Sequence, residues 1–286
     1  MAISPSHILG ELIGNFFEDA MKEPIEKFSK ENNLYFDKKG PRKARKGKLI
    51  TWTDIDGNKH DLDYVLEKGG TECIIGKPVA FIELAWRRYT RHSKNKVQEI
   101  SGAINPIVER FEQTQPFKGA ILSGEFTSTS LEQLRSQGFC VLYIPFKTLV
   151  PVFERNGLNI NFDENTSESE LNQIVENWKN TPIGTLNLIK EGLLKEYSNE
   201  IEVFIKALSS NVNRQIEHIY ILPLHGKSVE LTSICSAIEF IGNYTFSLEC
   251  TELQYINIIV KYTNGSNVEC HFKTKEQAID FLNIIR

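Results

Sequence analysis

Between Lys59 and Lys96 the chain sets Asp61, Asp63 and Glu83 on strand-like segments and follows them with a run of cations. Lys59–Glu67 (KHDLDYVLE) alternates like a half-buried strand and carries Asp61 and Asp63. After a glycine-rich break, Lys77–Trp86 (KPVAFIELAW) is an apolar run of strand composition with Glu83 embedded in it. A carboxylate in such a run is costly to bury unless it is paired or bound to metal, which singles out Glu83. Arg87–Lys96 (RRYTRHSKNK) then supplies five Lys/Arg residues and His92. Carboxylates on neighbouring strands make a hard-oxygen site suited to Mg²⁺. Cations beside it suit a polyanionic substrate. The chemistry expected from this pattern is metal-dependent phosphodiester cleavage.

The net charge of −4 over 286 residues excludes a protein whose whole surface coats nucleic acid, so DNA contact must come from local patches. Lys38–Lys48 (KKGPRKARKGK) holds seven Lys/Arg in eleven residues, which makes Arg42, Lys43, Arg45 and Lys46 candidate phosphate contacts. Arg87, Arg88 and Arg91 form the second patch. A solvated loop has the same composition as either run. The five cysteines are widely spaced and never form C-x-x-C, the usage of a reduced cytosolic protein. No apolar run approaches the roughly 20 residues that span a bilayer. The first residues lack the basic start of a secretion signal. A cytoplasmic protein without a membrane partner is expected.

The elements that must position these residues follow from periodicity and turn chemistry. Ser6–Lys30 reads as an amphipathic helix with Ile8, Leu9, Leu12, Ile13, Phe16, Phe17 and Ala20 on one face, and Pro24 as a kink or a second start. Lys48–Asp54 reads as a strand, turned by Asp56-Gly57-Asn58 into the Asp61/Asp63 strand. The Glu83 strand is followed by a helix over Thr90–Phe111, a strand over Lys118–Ser123, a helix over Thr127–Ser136 and a strand over Phe139–Phe146. This predicts an α/β fold, a mixed central sheet flanked by helices. Further on, helices are expected at Glu168–Lys179, Leu186–Leu208, Ser233–Ile241 and Lys275–Ile285. Strands are expected at Ile216–Leu222, Phe246–Leu248 and Tyr255–Tyr262, with a hairpin at Asn264-Gly265. Residues 1–150 are assigned to the core carrying the site, and 151–286 to a smaller α+β region for recognition or dimerisation.

The element order and two fragments, His60-Asp61-Leu62-Asp63-Tyr64-Val65 and Phe81-Ile82-Glu83-Leu84-Ala85, resemble the PD-(D/E)XK nuclease superfamily over about residues 7–146. That superfamily includes many type II restriction endonucleases and Holliday-junction resolvases. Nineteen residues separate Asp63 from Glu83, enough for adjacent strands and a connection. The resemblance implies a restriction endonuclease-like core in which Asp63 and Glu83 are catalytic and hold Mg²⁺. It also implies double-stranded DNA as substrate, a two-fold homodimer that cuts both strands of a symmetric site, and a cognate DNA methyltransferase in the same system. One departure stands out. The lysine expected two residues after Glu83 is Ala85. Lys94, then Lys96, then Arg87 are the cations ranked to take over its role, the stabilisation of charge on the phosphate. The alternative is a non-catalytic DNA-binding or interaction module on a degenerate nuclease core.

Other motifs lead nowhere. Asp54–Asn58 begins like a calcium loop but has Val65 at the twelfth position. The histidines lack metal-ligand spacing, and no phosphate-binding glycine loop is present. Asp61 has the ordinary reading of a solvated hairpin residue. Glu11 and Glu18 read first as solvent-face charges on the first helix, with support for the metal site as their other reading.

Overall fold

The computed structural model describes residues 4–223, 229–244 and 255–286. Ser4 accepts the His7 N–H and Pro5 takes the first helical turn, where its missing N–H costs nothing. Helix α1 then runs Pro5–Glu31 without a break at Pro24. Leu9, Ile13, Phe17, Ala20, Met21, Ile25 and Phe28 form its buried stripe.

Strand β1 (Leu34–Lys38), which the sequence pattern did not reveal, precedes a two-stranded ribbon of β2 (Ile50–Thr53) and β3 (Lys59–Leu62). Then come β4 (Tyr64–Lys68), β5 (Lys77–Arg87), a 3-10 turn at Thr90–His92, and α2 (Ser93–Arg110). They are followed by β6 (Phe117–Gly124), α3 (Ser128–Ser136) and β7 (Cys140–Pro145). The central sheet has the order β1-β4-β5-β6-β7, antiparallel across its first two pairings and parallel across the last two. The fold is α/β with a mixed five-stranded sheet flanked by helices, as the pattern predicted.

The expected Lys59–Glu67 strand is interrupted. Leu62 pairs with Ile50 in the ribbon, whereas Tyr64 pairs with Lys38 and Ile82 in the main sheet. The chain changes sheets at Asp63. That residue is therefore released from ladder pairing at the start of β4, an inner strand of the main sheet.

Helices α4 (Phe146–Glu154), α5 (Glu168–Lys179), α6 (Ile183–Glu196) and α7 (Ser198–Val212) follow. Ser167 and Glu170 form a reciprocal cap at the start of α5. The single helix expected over Leu186–Leu208 is two, because α6 ends with a cap at buried Tyr197. Phe16 of α1 packs edge-on against Phe153 and Trp178 at 5.0 and 5.9 Å between centroids. These helices complete the cover of α1, so the first compact unit is Met1–Arg110 with Pro116–Leu208, reaching past residue 150.

The second unit is Phe111–Gln115 with Ser209–Arg286. It contains β8 (Ile216–Pro223), β9 (Val229–Leu231), α8 (Ile234–Asn243), β10 (Ile256–Tyr262), β11 (Asn267–Phe272) and α9 (Lys275–Ile285). Its antiparallel sheet has the order β11-β10-β8-β9 around a core that includes Ile219, Ile258, Val260 and Phe281. The Asn264-Gly265 hairpin is present, with Gly265 at φ +83°. Arg214 donates to the carbonyls of Thr114 and Gln115, and Gln115 Nε2 donates to Asn267 O at 3.2 Å. The strand expected at Phe246–Leu248 lies outside the described residues. Among the described residues, no helix is long and apolar enough to cross a membrane.

Candidate active site

Glu83 is held in the middle of β5 by apolar neighbours on both sides and is 7% exposed. With Tyr64 opposite Ile82, the antiparallel register brings Asp63 alongside it. Each carboxylate is then fixed by the other's strand. Glu83 Oε1 accepts the Asp63 N–H at 3.2 Å, and Asp63 Oδ2 accepts the Leu84 N–H at 2.7 Å. Tyr64, buried beside them, donates its hydroxyl to the Glu18 carbonyl of α1 at 2.7 Å and ties that helix to the sheet.

Burial and then the charge of Asp63 push the Glu83 carboxyl up to about 8, against the pull of Lys96. Burial also raises Asp63, opposed by the Leu84 N–H and by Lys96 and Lys39. Glu18 is raised by burial and by Asp63. Burial and mutual repulsion thus outweigh the nearby lysines at all three acids. That is the electrostatic demand a divalent cation meets. The donors are hard oxygens, so Asp63 and Glu83 fit Mg²⁺. Among the described residues no group of three or more His, Cys, Asp or Glu could hold a metal. The remaining positions would fall to water and phosphate oxygens, the usual manner of Mg²⁺.

Asp63 opens onto a cavity of about 580 Å³, lined also by Glu11, Glu18, Ala85, Arg87 and Lys96 among others, with Glu83 buried behind it. The volume is that of a small-ligand site. Lys96 is the α2 cation that acts on both Asp63 and Glu83, and its Nζ lies 3.4 Å from Glu99. Lys94, ranked first from the sequence, is exposed on another side of the helix. Arg87 lines the cavity, with Nη1 donating to its neighbour Trp86 O at 2.8 Å. Asp61 stands on the exposed ribbon, accepting from Thr51 Oγ1 at 2.6 Å.

The basic segments divide. Arg42, expected at a DNA phosphate, is 4% exposed. Its guanidinium donates to Asp37 Oδ2 at 2.8 Å and to Glu67 Oε1 and Oε2 at 2.7 and 2.9 Å. It also donates to the carbonyls of Thr71 and Ile74. Arg45 donates to Asp37 and to the carbonyls of Lys38 and Leu49. Both are structural cations, because two acids near the sheet edge need partners. Lys43 and Lys46 are exposed. Arg88 is turned toward Phe162 O and the Phe146 ring, 4.1 Å from its centroid. Arg91 is exposed, 3.7 Å from Glu164. Lys39 belongs to the basic run Lys38–Lys48, but the sequence did not tie it to the acid site, although its charge acts on Asp63 and Glu18. The signal lay in β1 just before it, which alternates too briefly to announce a strand.

No family model and no curated relative matches the chain. A solved crystal structure described as a protein of unknown function, AF1548, is similar over 63% of this chain and 97% of that one, at 8% identity and a TM-score of 0.30. A likeness of that size carries no argument about fold or function.

Proposed function

We propose that the protein is a Mg²⁺-dependent endonuclease that hydrolyses phosphodiester bonds in double-stranded DNA, of the type II restriction kind. The observation that carries this reading is the pair of half-buried Asp63 and buried Glu83, each carboxylate accepting a main-chain N–H from the other's segment, with Lys96 acting on both. Asp63 and Glu83 would hold the metal, which when bound supplies an activated water and neutralises the scissile phosphate. The main-chain bonds keep both carboxylates in place before substrate arrives. Glu83 keeps its proton to about pH 8 without a cation, so it releases that proton as the site fills. Lys96 stabilises charge building on the phosphate. A two-fold homodimer, a cognate DNA methyltransferase and a cytoplasmic setting belong to the same reading.

Incubating supercoiled plasmid with the protein in Mg²⁺ and in EDTA tests it. Discrete fragments in Mg²⁺ alone are expected. A mobility shift without cutting in any divalent metal overturns the enzyme and favours the non-catalytic module, for which Ala85 speaks. The charge assignment has its own check. Lys96→Ala should lower the cleavage rate about 10²–10³-fold, while Lys94→Ala leaves it near wild type. Ala85→Lys should partly restore the Lys96→Ala enzyme. Equal losses from both lysines would remove the assignment to Lys96.

A further inference from the structure

The register that joins Asp63 to Glu83 continues one strand further. Lys38 of β1 lies opposite Tyr64 of β4, and Tyr64 lies opposite Ile82 of β5. Lys39 directly follows the last paired residue of β1, and Asp63 directly precedes the first paired residue of β4, so the two stand at the same end of that strand pair. Asp63 is in turn cross-bonded to the Glu83–Leu84 stretch of β5. Beyond Lys39 the chain turns away, with the Gly40 N–H donating to Lys48 O at 2.8 Å.

The two lysines near the acids differ in what else holds them. Lys96 lies 3.4 Å from Glu99 and is half-buried. Lys39 is exposed and makes no ion pair or side-chain hydrogen bond among the described residues. The groups that feel its charge are Asp63 and Glu18, both on the cavity wall. Lys39 is thus an exposed cation beside Asp63, with no carboxylate bound to it among the described residues, free to meet an anion brought by the substrate.

We propose that Lys39 grips a DNA phosphate next to the scissile one, on the β1 side of the acid pair, while Lys96 serves the reacting phosphate. This rests on the nuclease reading. Lys39 is a positioning residue, because it is exposed past the end of β1 and its charge reaches Asp63, whereas Lys96 is the lysine that acts on Glu83. A contact of this kind adds binding energy and register and leaves the bond-breaking step alone.

The test uses the full chain with Lys39→Ala and Lys39→Arg. Duplex binding is followed by fluorescence anisotropy in Ca²⁺ over a salt series, and cleavage in Mg²⁺. For Lys39→Ala, Kd and KM should rise about tenfold, with kcat within about twofold of wild type. The slope of log K against log salt should become shallower by about 1. Lys39→Arg should restore affinity and slope, and both variants should melt with the wild type. A cutting wild type with an unchanged Lys39→Ala affinity and slope overturns this proposal alone. So does a loss confined to kcat, or a lowered melting point that arginine does not rescue. A wild type that neither binds nor cuts DNA overturns the nuclease reading and this proposal together.

Discussion

Glu83→Ala and Asp63→Ala should each abolish cleavage while leaving a folded protein that still binds DNA. Loss of a ligand carboxylate forfeits the metal's several kcal/mol of charge stabilisation, roughly 10³-fold or more in rate. Phosphate contacts by lysines elsewhere survive. Glu83 also leaves a signature in stability. Its carboxyl is raised in the fold from 4.5 to about 8, so between those values the folded protein holds a proton that the unfolded chain has released. The unfolded state then binds fewer protons, and stability falls as pH rises. The contribution is intact below about pH 4.5 and lost by about pH 8. In EDTA, the urea midpoint should drop across this window. Glu83→Gln should flatten the drop, and Mg²⁺ should reverse it in the wild type. Near-normal cutting by Glu83→Ala would remove the central claim, and an unchanged pH slope in Glu83→Gln would remove its electrostatic basis.

Arg42→Met should be severely destabilising, by about 3–5 kcal/mol, because removing one partner of a buried ion network strands the others. Here the stranded groups are Asp37, Glu67 and the carbonyls of Thr71 and Ile74. Urea denaturation measures the loss, and a change below about 1 kcal/mol would show that the network relaxes onto water. Lys43→Ala with Lys46→Ala should barely move the midpoint. If those lysines touch phosphates, the pair should weaken binding to all DNA alike, with a shallower salt slope. Neutralising Arg42, Lys43, Arg45 and Lys46 as a block would confound unfolding with lost contacts.

The contrast between Glu83 and Arg42 shows what a sequence exposes. An acid inside VAFIELAW is conspicuous because its neighbours declare the burial that makes it costly. The 19-residue spacing from Asp63 was enough to suggest adjacent strands. Arg42 sits among cations that look solvated, and its partners lie 5 and 25 residues away in sequence. Nothing local reports such a pairing. The choice between Lys94 and Lys96 depended on where α2 begins and how it leans on the sheet, which a helical wheel leaves open. The break at Asp63 was hidden because residues 59–67 read as one β-rich segment, although two different sheets claim its halves. The boundary placed near 150 failed to see that α5 carries Leu171, Ile174, Val175 and Trp178 as a buried stripe, the mark of a helix that belongs to a core.

The five residues Phe111–Gln115 give the gene an unusual geography. The chain passes from one compact unit to the other after Arg110, returns at Pro116, and leaves again after Leu208. The second unit is therefore not a cassette appended to the end of the first. A stop codon after Leu208 would leave Phe111–Gln115 behind and strip Arg214 from the carbonyls of Thr114 and Gln115. Exchange of the second unit between related genes would need two compatible splice points at once. Recombination can trade a terminal module in a single crossover; exchanging this one with its own partner residues takes two.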